Sequence, residues 1–255
     1  MTEALDTPVA APSALDLLGG AGYQGESNYI AAANYFSMVW KKSGDDAQVA
    51  AKAAGLDTSK GNLLFAFTRG GVFNFLTPFN FYLVSTTEVF NLTDKKGNSL
   101  EYGSKKVSED YREGFIALMV AVQGESLIPI VSTVGRIQGG TSKAFKAARL
   151  SAQAFNISSA ELASRGEQFK VAAEVPSVPF RTMFTLTGTV KENDNGEFPV
   201  TSVSNRPVTR SDLDIVELAE PTNPESRFYK DLAECVKVYQ NQQKEIREGW
   251  KAPKK

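Results

Sequence analysis

The turn Asn193-Asp194-Asn195-Gly196 stands between two runs, 180–190 and 197–203, in which apolar and hydroxyl-bearing residues alternate. A period of two commits a segment to a half-buried strand, and a short Asn/Asp/Gly turn folds two such strands back on one another. The same pattern appears earlier in the chain. Residues 62–68, 72–76 and 79–84 are rich in aromatic and β-branched side chains, and Gly70-Gly71 joins the first two as a tight hairpin. Residues 88–92 and 100–102 flank Asp94-Lys95-Lys96-Gly97-Asn98, a further hairpin signal. Residues 111–122 and 127–134 read as more strands, or as a short helix with strands. Antiparallel turns at this frequency do not fit a doubly wound α/β sheet, in which strand and helix alternate regularly.

Helical signals interrupt the strands. Residues 45–54 form a helix opened by Ser43 or Gly44 and closed by Gly55. Residues 141–155 form another, capped by Thr141 or Ser142, and Ser158-Ser159-Ala160-Glu161 has the form of a capping box. Residues 221–224 read as a linker, and 225–250 as a long helix with Phe228, Leu232, Val236 (or Cys235) and Tyr239 on its apolar face. Residues 29–42 satisfy both periods: Tyr29, Ala33, Phe36 and Trp40 share a helical face, whereas Tyr35, Ser37 and Val39 alternate as on a strand. Residues 1–28 are small and polar and read as a mobile arm. The expected fold is α+β: an antiparallel barrel or curved sheet within 29–220, with a helical insertion near 141–170, then a C-terminal helix over 225–250.

Composition narrows the chemistry. The 255 residues include no histidine, which removes histidine-based nucleophilic catalysis and histidine metal sites. The single cysteine, Cys235, removes disulfide frameworks and cysteine-cluster zinc sites, and its place on an apolar helical face reads as a buried thiol. No carboxylate pair has a recognisable catalytic or metal-binding spacing, so the expectation is a non-enzyme without cofactor or metal. The longest apolar run, 115–122, is far shorter than the ~20 residues of a membrane span. The acidic start of the chain lacks the basic region of a signal peptide, which makes the cytoplasm the default location, the host's if the protein is viral.

Between Ser126 and Ala160 there is no Asp or Glu, yet Arg136, Lys143, Lys146 and Arg149 lie there, although the formal net charge of the chain is -1. A spacing of three puts the last three on one slowly drifting helical face. Glycines 135, 139 and 140 precede this helix without the Gly-Lys-Ser/Thr order of a nucleotide-binding loop, leaving at most an anion site at the helix start. Upstream, most of the aromatics between Phe65 and Phe90 must pack inside. Phe73 and Phe75, which share a strand face beside Arg69 and Gly70-Gly71, are the candidates for stacking on a base. Cations with aromatic rings suit a single nucleic-acid strand, phosphates on the former and bases on the latter.

The strand 128–134, the basic helix 143–149, the hairpin 179–200 with its Lys191-Glu192-Asn193-Asp194-Asn195-Gly196 turn and the closing helix 227–240 follow one another in an order that resembles phage and plasmid single-stranded DNA-binding proteins with an OB-type barrel. The likeness covers about the second half of the chain. It departs at the C-terminus, where such proteins often carry an acidic tail and this chain has Lys251-Ala252-Pro253-Lys254-Lys255. The resemblance implies an OB-like domain, replication or recombination proteins as partners and a possible homo-oligomer. The resulting expectation is non-enzymatic binding of single-stranded DNA, or RNA, through Arg69, Phe73, Phe75, Arg136, Lys143, Lys146 and Arg149. The alternative is a structural or assembly subunit that uses its aromatic strands and C-terminal helix as protein interfaces.

Overall fold

The computed structural model describes residues 35–59, 63–69, 71–76, 78–93, 99–134, 141–175, 178–248 and 250–251. In chain order these form β1 (Tyr35–Val39), α1 (Asp45–Ala53), β2 (Leu64–Arg69), β3 (Val72–Leu76), β4 (Phe79–Thr93), β5 (Ser99–Gly103), β6 (Arg112–Gln123), β7 (Ser126–Val134), α2 (Thr141–Gln153), α3 (Ser159–Ser164), α4 (Lys170–Glu174), β8 (Thr182–Asn193), β9 (Gly196–Pro207), α5 (Arg210–Leu218), α6 (Arg227–Glu248) and β10 (Trp250–Lys251). The class is α+β, with every strand pairing antiparallel. The strands make two open sheets: β1-β2-β3, and a larger one of order β10-β5-β4-β6-β7 to which β8 and β9 attach through β4. β4 is the trunk of the larger sheet. β6 runs along one side of it, while β8 takes its first three residues and β5 its last four on the other. Among the described residues, β7 pairs only with β6 and β9 only with β8, so the ladder does not close.

The strand pattern wins at residues 35–39, because β1 must cover β2 with Phe36 turned into the core. The N-terminal arm lies outside the described residues, as do the Gly135–Gly140 loop and Arg136. α2 takes Thr141 as its first residue, and the residue before it lies outside the described residues. Ser158 caps α3 by accepting the Glu161 N–H at 3.2 Å. Two corrections concern the C-terminal part. α5 was not anticipated, although Thr209 and Asp212 carry its start signal. The long helix stops at Glu248, and Trp250 pairs as a strand residue with Tyr102 of β5. No helix among the described residues is long and apolar enough to cross a membrane.

One bulge organises the core. In β4 the register slips between Leu83, opposite Met119, and Ser85, opposite Leu118. An extra residue in a strand sends every later side chain to the opposite face. Before the slip Phe79, Phe81 and Leu83 face a cluster formed with Phe36, Phe65, Phe67 and Leu76 of the small sheet and Ala144, Phe145 and Ala148 of α2. After it Val89 joins the other cluster, with Leu162, Leu213, Leu232 and Cys235 from α3, α5 and α6, while Ser85 and Thr87 meet the Tyr239 hydroxyl at 2.9 and 2.8 Å. The large sheet is thus sandwiched, with the small sheet and α2 on one face and the later helices on the other. A third cluster, Val39, Ala51, Leu64 and Ala66, fastens α1 to the outer face of the small sheet. Arg181, 6 % exposed, ties the insertion to β8. It donates to the carbonyls of Val175 (2.9 Å), Phe155 (3.3 Å) and Ile157 (2.7 Å) and to the Ser159 hydroxyl (3.1 Å), so backbone and hydroxyl dipoles solvate its charge.

Candidate nucleic-acid interface

The basic helix is less basic in space than along the chain. Lys146 reaches Glu113 of β6 at 3.0 Å, and Arg149 reaches Glu88 of β4 at 2.8 Å. Strand parity brings both acids to the face of α2, by different routes. Glu113 shares its parity with Phe115, Ala117 and Met119, whereas Glu88 comes to that face only because the bulge has switched the register of β4. Arg149 also lies over the Phe115 ring, 5.7 Å from its centroid, and is 32 % exposed, so it is a half-covered packing residue. The stretch has no acid of its own, and the acids that pair with it are distant in sequence and close in space. The Lys143 side chain and all of Arg136 lie outside the described residues.

Most of the aromatic segment is interior. Phe79 stacks on Phe36 at 4.9 Å and on Phe81 at 5.1 Å, and Phe81 continues to Phe145 and Phe184 at 5.6 and 5.5 Å. Phe90 is partly buried, as are the two rings singled out from the sequence. Phe73 and Phe75 lie on β3, partly buried, with ring centroids 6.2 Å apart and planes inclined by 16°. Register puts Phe73 opposite Thr68 and Phe75 opposite Ala66, on the face that α1 covers in part. β3 pairs only with β2 among the described residues, and its first residue, Val72, is 61 % exposed. Arg69 ends the partner strand opposite Val72, but its side chain is outside the described residues. α2 packs with the opposite face of the small sheet, so the structure does not bring its cations beside Phe73 and Phe75.

Sequence reasoning missed a second aromatic–cation group, at the end of β1. Trp40 is partly buried against the inner core, and the Lys42 ammonium sits 5.5 Å from its ring centroid. Lys41 pairs with the Glu197 carboxylate on β9, and Lys42 donates to the Glu197 carbonyl at 3.3 Å. A signal existed in Trp40-Lys41-Lys42 itself, an aromatic followed by two cations.

The remaining polar groups are structural in geometry. Asp212 of α5 accepts from Arg206 at 2.5 and 2.9 Å, and from the Thr209 N–H and hydroxyl at 2.7 Å each. Burial works to raise its carboxyl, but the Arg206 and Thr209 hydrogen bonds outweigh this and hold it below the usual carboxylate range. Burial, reinforced by the Asp212 charge, pushes the Tyr82 phenol far up, and its hydroxyl has no hydrogen-bond partner among the described residues. Burial raises the Tyr239 phenol too, partly offset by Ser85, Thr87 and Gln243. Comparison with known proteins finds no matching family model, no matching curated protein and no matching solved structure.

Proposed function

We propose that the chain binds single-stranded nucleic acid, DNA in the first instance, and is not an enzyme. The observation that carries this reading is the Phe73–Phe75 pair: two near-parallel rings, partly exposed, on an edge strand. Rings so placed offer successive faces to unpaired bases, whose stacking does not depend on sequence. The OB-like description belongs to the same proposal. It is supported by the antiparallel strands and by the approach of the two sheets, where the Ser132 hydroxyl of β7 donates to the Phe36 carbonyl of β1 at 3.3 Å. A phage or plasmid replication or recombination setting comes from the resemblance. The assembly reading is weakened at one of its two surfaces, because α6 buries Phe228, Leu232, Val236, Tyr239 and Ile246 within its own chain.

Fluorescence anisotropy with a labelled single strand, its duplex and an RNA of the same sequence tests the reading. The single strands are expected to bind more tightly than the duplex, which hides its base faces. Phe73→Ala with Phe75→Ala is expected to weaken binding by about tenfold or more, given ~1–3 kcal/mol per stacked base. Equal affinity for single strand and duplex, or no binding to either, rejects it.

A further inference from the structure

We infer that Trp40 and Lys42 form a second subsite for the nucleic-acid strand, a base stacking on the indole and a phosphate meeting the ammonium; this rests on the reading above. The indole has a fixed seat. The Trp40 backbone N–H donates to Ser43 Oγ at 3.0 Å, and the Trp40 carbonyl accepts the Ser43 N–H at 2.8 Å and the Gln48 side-chain amide of α1, whose oxygen in turn accepts from Thr58. With the backbone held at three points and the ring partly packed on the inner core, its orientation is set before any ligand arrives.

Charge selects the ligand. Two lysines stand side by side, and Lys41 is paired with the Glu197 carboxylate. Lys42, which is exposed, has no carboxylate partner among the described residues, only the ring and a carbonyl at 3.3 Å. An exposed cation–π contact is worth ~0.5–1 kcal/mol, less than the ~1–3 kcal/mol of a stacked base, so a base displaces the ammonium from the ring face and frees it for the adjoining phosphate. The lysine acts as a removable cover on a preformed stacking surface. Past Glu197, register sets Phe198, 37 % exposed, opposite Lys191 across the β8–β9 ladder, an aromatic and a cation at neighbouring positions along the hairpin.

The chain holds two tryptophans, so Trp250→Phe leaves Trp40 as the sole indole reporter. Titration of this variant with oligothymidylate is expected to quench its emission along the binding curve that anisotropy gives for the same oligonucleotide. In the otherwise native chain, Trp40→Ala is expected to weaken binding about tenfold. Lys42→Gln, an exposed change, is expected to lower the slope of log affinity against log salt by about 0.7. If the wild-type chain binds the oligonucleotide but Trp40 emission is unmoved and Lys42→Gln binds with unchanged affinity and slope, the subsite is wrong and the wider reading stands. If the wild-type chain binds no single strand, both fall together.

Discussion

Asp212 is a carboxylate that folding takes from water and then surrounds with donors. Four hydrogen bonds, two from Arg206 and two from Thr209, join β9 to the first turn of α5. Its lowered folded pKa has a definite consequence for stability. The unfolded carboxyl holds its proton to higher pH than the folded one, so the contribution is fully present above the ordinary aspartate range and is lost as the pH falls through the folded value. Urea unfolding of the wild type and Asp212→Asn from pH 7 to pH 2.5 is expected to give a stability difference that narrows below about pH 4. A difference that stays constant across that range contradicts the assignment. The same scale separates the cations of α2. Lys146 makes a half-exposed ion pair of the kind worth ~0–1 kcal/mol, whereas Arg149 is held by Glu88 and by the Phe115 ring, with its Nε buried and without a partner among the described residues. Only the first of the two is free to serve a ligand without cost to the core.

Between elements, the decisive contact is that of the small sheet with the β8–β9 hairpin. Leu63, just before β2, lies against Gly188 of β8 so closely that a Cβ there would stand 2.0 Å from Leu63 Cδ2, 2.9 Å from Cγ and 3.0 Å from Cβ. Glycine is required by this approach and not by its backbone angles, and the Lys41–Glu197 pair fastens the same two elements further along. Gly188→Ala is therefore expected to destabilise the chain by ~1–3 kcal/mol through overpacking, and Leu63→Ala in the same chain to recover part of the loss. Additive losses in the double variant, measured by denaturant midpoint, refute the contact. The hairpin turn itself was readable from Asn193-Asp194-Asn195-Gly196, since Gly196 has a φ of 97° that only a glycine adopts freely. What the hairpin touches was not readable, because nothing local to Gly188 announces a leucine 125 positions earlier in the sequence.

In the whole molecule, β4 and β6 have strands beside them and packed layers on both faces, while among the described residues the far part of the hairpin has its partner strand alone in the ladder and polar ties from Lys41 and Lys42. Hydrogen exchange is expected to be slowest in β4 and β6 and fastest, within the sheets, at residues 189–200. Protection that is uniform, or highest in the hairpin, overturns this layering. The sequence by itself determined the elements whose causes are local: the Gly71 and Gly196 turns, the alternating strands, the Ser158 cap and the apolar stripe of α6 that buries Cys235. It also placed Phe73 and Phe75 on one strand face, because a period of two needs no partner to be counted. Only the tertiary structure decided the division into two sheets, the conversion of Trp250 from helix to strand and the electrostatics of α2. The acid-free stretch around Lys146 and Arg149 is real along the chain, but a charge responds to distance in space. A bulge at residue 84 and the parity of β6 bring Glu88 and Glu113 within 3.0 Å of those cations, and neither is visible from the sequence around the helix.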